Sequence, residues 1–313
     1  MVEVPWELPL VQAPIGPAAT PELVIAVSEI GALGTLAASW TSRAELRDQI
    51  RRVRSRLVRP YCVNFVLAFE QRGRLRVALE EEVPFVSFSW GVDRRLIKLA
   101  HDAGASVLIQ VGDLADAIHA ADANADVLIV QGIEAGGHVE GRMPIVELVK
   151  RVRAAVSSPL VAAGGIGDSA ATARARAAGA DAFAWGTPFL AAHEADVHPE
   201  YLSQLIDAEA TDTALATAFD EGWPDAAHRV IRNTTLRDWE QAGRPGKGAR
   251  PGEGDVIATR NGTAIHRYSD AQPTTATSGQ IEAMAMYAGT SVSTVTHGEP
   301  ATTIAKRLAS AFR

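Results

Sequence analysis

The sequence lacks the features that mark several protein classes. Its 313 residues include a single cysteine, Cys62, which excludes an internal disulfide framework and a multi-cysteine metal site. Such low cysteine usage fits a reducing compartment, so a cytoplasmic location is expected. No apolar run approaches the length of a membrane span, and the opening MVEVPWELPL has no basic stretch before an apolar one. Neither a membrane protein nor a signal peptide is therefore predicted.

A surplus of positive charge is also missing. The net charge is −7 at pH 7, which argues against nucleic acid or an anionic membrane as the main partner. With 47% apolar and 21% charged residues, the chain has an ordinary globular composition and can bury a sizeable core. A small molecule is therefore the expected partner, and a homo-oligomer stays compatible with the sequence.

Short apolar runs alternate with amphipathic or alanine-rich stretches through the first two-thirds of the chain. Most of the runs are continuous, which is typical of parallel strands covered on both faces, and helices suit the stretches between them. This alternation favours an α/β fold, a closed (β/α)₈ TIM barrel, and a doubly wound open sheet is the competing architecture. The eight predicted strands are 8–15, 33–38, 61–66, 84–89, 106–112, 126–132, 159–165 and 181–187. The clearest predicted helices are 22–32, 43–59, 93–105 and 169–180.

The last third of the chain breaks this alternation. Residues 200–240 are predicted as helices, including ALATAFDEG at 214–222. The stretch 242–262 is rich in glycine and proline and is expected to be a loop or a mobile flap. An amphipathic helix at 300–313 is expected to pack back on the barrel. The predicted domains are a barrel at 1–195, a smaller helical insertion at 196–280 and a C-terminal segment at 281–313.

Glycine-rich turns follow the seventh and eighth predicted strands. The first, AAGGIGD, ends at Asp168, which is a candidate helix cap, and the second contains AWGT at 184–187. In a barrel, ligands bind at the C-terminal ends of the strands, and a phosphate commonly sits at these two loops. Glycine lets backbone N–H groups approach an anion, and the helix dipole adds a favourable field. A phosphate site is predicted here, and a tight turn without a ligand is the alternative.

His138 follows Gly136 and Gly137 at the end of the sixth predicted strand. The glycines are expected to bend the chain over a flat ligand, so that the imidazole projects over the barrel mouth as a base or beside an anion. A surface histidine is the alternative. No pair of histidines has ligand spacing and the carboxylates are scattered, so no metal site is predicted. The histidines expected at the surface or in helix caps are His193, His198, His228, His266 and His297.

Several segments together resemble the nitronate monooxygenase family, formerly called 2-nitropropane dioxygenases. They are VQAPIGPAATPELVIAVSEIGALGTL, YCVNFVL, VSFSWG, VQGIEAGGHVEG, VAAGGIGD, GADAFAWGTPFLA and MYAGTSVS, in the family's order along the chain. EAGGH and AAGGI are the most specific, and a related flavin-dependent enoyl-acyl-carrier-protein reductase shares them. The resemblance implies an FMN-containing barrel that oxidises an alkyl nitronate with O₂ to a carbonyl compound and nitrite, without a metal.

The resemblance also implies roles for individual residues. His138 matches the family's catalytic histidine, which deprotonates or orients the substrate beside the flavin. Trp90 is a candidate wall for the substrate and Tyr287 a candidate hydrogen-bond donor, although barrel packing explains Trp90 equally well. The implied cofactor contacts are Pro14, Ile15, Asn64, Gln110, Gln131, Gly136, Gly137, Gly164, Gly165, Ala184, Trp185, Gly186 and Thr187.

Three residues depart from the family pattern. Ile15 stands where methionine is common, Gln110 where some members carry lysine, and Thr290 where glutamine is frequent. These differences bear on the substrate more than on FMN binding. Two alternatives therefore stay open: an NAD(P)H-dependent flavin reductase of enoyl thioesters, and a non-redox phosphate-binding barrel such as an isomerase or lyase.

Overall fold

The structure is a computed structural model that describes residues 3–311. Residues 1, 2, 312 and 313 lie outside the described part, so the outer ends of the predicted domains and of the helix at 300–313 are untested. The strands are β1 (Leu10–Gln12), β2 (Thr35–Ala37), β3 (Cys62–Val66), β4 (Phe85–Ser89), β5 (Ser106–Val111), β6 (Val127–Gln131), β7 (Gly137–His138), β8 (Leu160–Ala163), β9 (Ala182–Trp185), β10 (Thr213–Ala216), β11 (His228–Ile231), β12 (Val256–Arg260), β13 (Thr263–His266) and β14 (Thr277–Gly279).

Helices alternate with the strands through the first two-thirds of the chain, as the sequence predicts. The α-helices are α1 (Pro21–Glu29), α2 (Arg43–Arg54), α3 (Arg72–Glu80), α4 (Arg94–Asp102), α5 (Leu114–Asp122), α6 (Ile145–Ala155), α7 (Ser169–Ala177), α8 (Pro199–Asp207), α9 (Thr234–Gln241) and α10 (Ala301–Ser310). Short 3₁₀ helices lie at Gly16–Ala18, Thr187–Ala191, Ala210–Asp212, Ile281–Ala283 and Thr290–Thr294.

Eight parallel strands form one sheet, in the order β1-β9-β8-β6-β5-β4-β3-β2. The two ends of this sheet meet, because Val11 in β1 bridges Leu33 just before β2. The Gln12 N–H donates to the Leu33 carbonyl at 2.9 Å, and the Leu33 N–H donates to the Leu10 carbonyl at the same distance. The sheet is therefore a closed TIM barrel, which confirms the predicted fold and excludes the open sheet. The strands are shorter than predicted because one or both ends of each predicted segment lie outside the paired strand.

Two apolar layers hold the barrel together. Side chains from alternate strand positions fill the interior, among them Val11, Cys62, Leu108 and Val161. Trp6 closes the N-terminal end of the barrel, with its ring edge-on to Phe85 at a centroid distance of 6.0 Å. The larger second layer lies between the strands and the surrounding helices. The amino ends of the strands are thus plugged, which leaves the carboxyl ends as the open end.

The insertion is not purely helical, which corrects the prediction for 196–280. Helices α8 and α9 are present, but the predicted helix at 214–222 is wrong, because its first residues belong to β10, which pairs antiparallel with β11. A second small sheet has the order β13-β12-β14. The strand β12 occupies 256–260, so this part of the predicted loop 242–262 is also wrong. Asn261 and Gly262, with φ of +50° and +79°, form the tight turn between β12 and β13.

The glycine- and proline-rich part that remains, 242–255, contains no strand or helix but is anchored. The Arg250 side chain is only 5% exposed and forms ion pairs with Asp220 and Glu253, each at 2.6 Å. Its guanidinium also lies 4.3 Å above the Tyr268 ring. The buried guanidinium of Arg250 therefore holds this segment against the rest of the insertion.

Candidate functional site

All the residues predicted for the site line one cavity of about 510 Å³ at the carboxyl ends of the barrel strands. The glycine turns after β8 and β9 and the imidazole of His138 therefore surround the same opening, as the phosphate prediction requires. The individual roles of these residues remain predictions. The predicted residues in the lining are Pro14, Ile15, Asn64, Trp90, Gln110, Gln131, Gly136, Gly137, His138, Gly164, Gly165, Ala184, Trp185, Gly186, Thr187 and Tyr287.

The turn after β8 has a backbone conformation that favours glycine. Gly164 and Gly165 have φ of +103° and +66°. A Cβ atom on Gly165 would lie 2.7 Å from the Cβ of Glu134, so the turn packs directly on the segment that precedes His138. Asp168 then caps α7, because its carboxylate accepts a hydrogen bond from the Ala171 N–H at 2.7 Å. The turn thus leads into a helix N-terminus, which is a favourable setting for a phosphate.

Two glycines place His138, for different reasons. A Cβ atom on Gly136 would lie 2.4 Å from the backbone nitrogen of Gly289, so only glycine permits this contact between the two loops. Gly137 has φ of +76° and supplies the predicted sharp bend. The next residue pairs with His228, because β7 and β11 are antiparallel neighbours. His138 therefore lies on a short paired strand, which fixes its backbone over the barrel mouth.

The imidazole of His138 is enclosed by aromatic rings. It stacks on Trp223, with centroids 4.3 Å apart and planes 24° apart, and meets the Trp90 ring edge-on at 6.4 Å. Within the described chain, its Nε2 atom is buried and has no hydrogen-bond partner. Burial, and secondarily the neighbouring His228, lower the pKa of His138 to about 3. The ring is therefore neutral at neutral pH and has one polar atom available for a ligand.

His228 is a site residue that the sequence reasoning missed, since a surface or capping position was expected. Its side chain is fully buried, with its ring centroid 5.6 Å from that of His138. Nδ1 lies 2.9 Å from the Ala226 carbonyl and Nε2 accepts a hydrogen bond from the Phe219 N–H at 3.2 Å. Both ring nitrogens are thus engaged, which fixes a neutral tautomer. Burial lowers the pKa of His228 to about 4, so this ring is a neutral support behind His138.

The amide of Gln131 organises the loop that carries His138. Its Oε1 accepts from the Glu140 N–H at 2.7 Å, and its Nε2 donates to the His138 carbonyl at 3.3 Å. Gln110 donates from Nε2 to the Glu140 carboxyl group at 2.5 Å. Burial raises the pKa of Glu140 to about 7, although the hydrogen bond from Gln110 opposes this. No pattern in the sequence indicates a role for Glu140, which links two predicted cofactor contacts from outside the cavity.

The aromatic candidates divide into three cases. Trp185 is only 2% exposed and packs on Phe183 at 5.8 Å, so its side chain belongs mainly to the barrel core. Tyr287 donates its hydroxyl proton to the Asp270 carbonyl at 2.8 Å, which leaves no proton for a substrate and counts against the predicted donor role. Trp90 has φ of +60°, a conformation that costs a non-glycine residue roughly 1–2 kcal/mol. This outlier at the cavity wall favours a functional position for Trp90 over simple packing.

Charged side chains in the lining are few. Arg260 is the one lysine or arginine that the described part of the chain contributes to the cavity, and Glu45 and Asp270 are the acidic residues. The Arg260 Nε donates to the Thr277 hydroxyl at 3.3 Å. Within residues 3–311, no three histidine, cysteine or acidic side chains come together in a way that could hold a metal ion. The described helices include none that is long and apolar enough to cross a membrane.

Comparison with known proteins agrees with this geometry. The profile of the family described as nitronate monooxygenase matches residues 3–73 and 63–310. The chain belongs to the nitronate monooxygenase family. This confirms the resemblance that the EAGGH and AAGGI motifs indicate. The chain is therefore a flavin-dependent oxidoreductase, and a non-redox phosphate-binding barrel is excluded.

Proteins similar to this chain are named for different activities. A (3aS,4S,5R,7aS)-5-hydroxy-7a-methyl-1-oxo-octahydro-1H-indene-4-carboxyl-CoA dehydrogenase of Rhodococcus jostii is 32% identical over 254 residues, which cover 81% of this chain and 69% of the relative. The solved structure of FabK from Thermotoga maritima has a TM-score of 0.79 and 27% identity, covering 98% of this chain and 93% of FabK. A nitroalkane oxidase from Streptomyces ansochromogenes has a TM-score of 0.79 and 29% identity, covering 97% and 95%. The family thus fixes the class of chemistry and leaves the substrate open.

Proposed function

We propose that this protein binds FMN in the barrel cavity and oxidises alkyl nitronates with O₂ to carbonyl compounds and nitrite. As an overall balance, two nitronate anions and one O₂ give two carbonyl compounds and two nitrite ions. The observation that carries the proposal is the neutral, enclosed imidazole of His138 with a buried and unpaired Nε2 atom, in the same cavity as the two glycine turns. A bound flavin would supply the two-electron chemistry.

The glycine turns support FMN as the cofactor. Gly164 and Gly165 keep side chains out of the turn after β8, and Asp168, the N-cap of α7, follows three residues later. The second turn, after β9, contains Gly186 and leads into the 3₁₀ helix Thr187–Ala191. Two helical N-termini beside two glycine turns suit the single terminal phosphate of FMN. Asn64, Gln110 and the other predicted contacts would then line the space for the flavin ring.

The environment of His138 favours an orienting role over that of a general base. A base works best when its pKa is near the working pH, and burial holds the pKa of this imidazole at about 3. A neutral imidazole nevertheless carries one N–H, which can donate to a nitronate oxygen. The enclosing rings of Trp90 and Trp223 exclude water, which strengthens such a hydrogen bond. The proposal therefore assigns His138 to holding an anion that arrives already deprotonated.

A second candidate function is redox chemistry on a coenzyme A thioester. It is favoured by the 32% identical dehydrogenase, whose name specifies a carboxyl-CoA compound. Arg260 offers a half-buried guanidinium on the cavity wall, which would suit an anionic part of such a substrate. The departure of Gln110 from the lysine seen in some family members is compatible with either substrate.

An anaerobic titration separates the candidates. The holoprotein is mixed without O₂ with ethyl nitronate, NADH or NADPH, and reduction is followed by the loss of flavin absorbance. The proposal expects reduction by ethyl nitronate and, after O₂ is admitted, one nitrite per nitronate consumed. Fast reduction by NADH or NADPH, with no reaction of the nitronate, would support the thioester reductase in its place. FMN is distinguished from FAD by chromatography of the released flavin.

The role of His138 is tested by His138→Ala and His138→Asn. Loss of one well-placed donor to a developing or bound oxyanion typically costs about 10²–10³-fold in rate. We expect a loss of this order in kcat/KM for ethyl nitronate with alanine and a smaller loss with asparagine, which keeps an amide N–H. The flavin content should stay the same in both variants, because the glycine turns are untouched. Unchanged turnover in His138→Ala would remove the assigned role.

A further inference from the structure

An arc of aromatic side chains lies at the mouth of the cavity. Trp40 follows β2, Phe69 follows β3 and Trp90 follows β4, and these three strands are neighbours in the barrel. Trp223, from the segment between β10 and β11, packs against all three, with centroid distances of 6.0 Å to Trp40, 5.3 Å to Phe69 and 4.7 Å to Trp90. We call these four residues the aromatic arc. The arc continues directly into His138, which stacks on Trp223.

The position of the arc in the barrel is set by the strand order. In the closed ring of eight strands, β3 lies four strands from β8 in either direction, and β4 lies four strands from β9. The arc therefore faces the glycine turns across the barrel mouth. With a cofactor phosphate at those turns, the arc is on the far side of the opening, next to the His138 ring.

Packing alone does not account for the arc. Aromatic residues make up only 6% of the sequence, yet three of its six tryptophans, Trp40, Trp90 and Trp223, belong to the arc and line this cavity. Trp40 is 58% exposed, and it is the one aromatic among the large hydrophobic side chains that are exposed in the described chain. An exposed tryptophan held at the mouth of a cavity offers apolar area that a ligand can cover.

The backbone at Trp90 is a second and independent observation. This residue has φ of +60° and is followed by Gly91 with φ of +145°. A bulky residue in the left-handed region is a strained feature that persists where the surrounding structure requires it, commonly at ligand sites. Here the strain coincides with an indole that lines the cavity and meets His138 edge-on.

We propose that the aromatic arc binds a flat, hydrophobic ring carried by the substrate, so that the natural substrate is a ring-bearing compound rather than a short nitroalkane. The ring would lie against Trp40, Trp90 and Trp223, and the anionic reacting end would reach His138. This inference rests on the proposed function for the identity of the reacting end. Binding of a ring to the aromatic arc does not require turnover, so the experiment measures the binding of unreactive compounds.

The test compares two unreactive carboxylates of equal charge, phenylacetate and propionate, binding to the holoprotein by isothermal titration calorimetry. The extra ring should make phenylacetate bind at least about tenfold more tightly, because it buries apolar area and contacts aromatic rings. Trp40→Ala should reduce this preference by about threefold or more, and Trp40→Phe should retain most of it. Leu215→Ala, at an exposed apolar residue outside the cavity lining, should leave the preference unchanged.

Equal affinity of the wild-type protein for phenylacetate and propionate would overturn the inference, and this comparison needs no variant. A tenfold preference that Trp40→Ala leaves intact would also overturn it, since the ring would then bind elsewhere. Far-UV circular dichroism confirms that each variant is folded. Failure of both ethyl nitronate and the ring-bearing nitronate of phenylnitromethane to reduce the flavin, together with a clear preference for phenylacetate, would refute the proposed reaction and leave the ring site supported.

Discussion

The enclosed imidazole of His138, which is partly buried, makes the free energy of unfolding depend on pH in a way that one substitution removes. In the folded protein the pKa of this group is about 3, whereas its ordinary value is 6.5. Between these two pH values the unfolded chain binds a proton that the folded chain does not. The contribution of His138 to the free energy of unfolding is therefore complete above pH 6.5 and is lost progressively as the pH falls towards 3.

The size of the effect follows from the interval between pH 6.5 and the pH of the measurement. Each pH unit in this window is worth about 1.4 kcal/mol, so at pH 5 the wild-type protein loses about 2 kcal/mol through His138. His138→Asn has no group that titrates here. The difference in unfolding free energy between variant and wild type should thus shift by about 2 kcal/mol in favour of the variant between pH 7.5 and pH 5.

The assay is urea unfolding of both proteins without added flavin, followed by circular dichroism at several pH values from 5 to 7.5. His228 has a pKa lowered to about 4 by burial and titrates in both proteins, so its contribution cancels in the difference. Parallel curves of unfolding free energy against pH would refute the reasoning, because they would mean that His138 is as accessible to protons in the fold as in the unfolded chain.

Three further predictions concern the surrounding structure. Gly136→Ala should lower the unfolding free energy by about 1–3 kcal/mol, because its Cβ would lie 2.4 Å from the Gly289 nitrogen, and an unchanged urea midpoint would contradict that contact. Burial raises the pKa of the native Glu140 carboxyl to about 7, so the wild type loses unfolding free energy as the pH rises from 4.5 to 7. Glu140→Gln has no such group, and its unfolding free energy relative to the wild type should rise by up to about 3 kcal/mol over this range, as measured by urea denaturation at pH 4.5 and pH 7. Amide hydrogen exchange should be faster in 243–255 than in 256–260, which pairs with two strands; equal protection in both would be inconsistent with β12.

Much of the barrel could be predicted from local patterns. Continuous apolar runs such as VLIV in β6 predict buried parallel strands, because both faces of the strand are covered. Asp168 is a predicted helix cap, and it accepts a hydrogen bond from the first turn of its helix. The glycines at 164 and 165 predict a turn in which backbone is exposed to a ligand. In each case the signal lies within a few residues of the feature that it predicts.

The insertion was harder to predict, for two different reasons. The strand β10 is alanine-rich, so its composition suits a helix, and only its pairing with β11 makes it a strand. The hairpin of β12 and β13 could have been predicted, because Asn261-Gly262 is a strong turn signal between two short stretches that contain β-branched residues. The glycines and prolines just before this turn led to the prediction of one continuous loop over 242–262.

Local sequence patterns predict the barrel, the glycine turns and the histidine that follows them, because these depend on apolar periodicity and on backbone conformations that favour glycine. Tertiary structure alone decided the surroundings of that histidine. Trp223 and His228 lie far from His138 in the chain, and they reach it because β11 pairs with β7 over the barrel mouth. Burial and stacking depend on such long-range contacts, and they set the charge of His138 and the shape of its cavity.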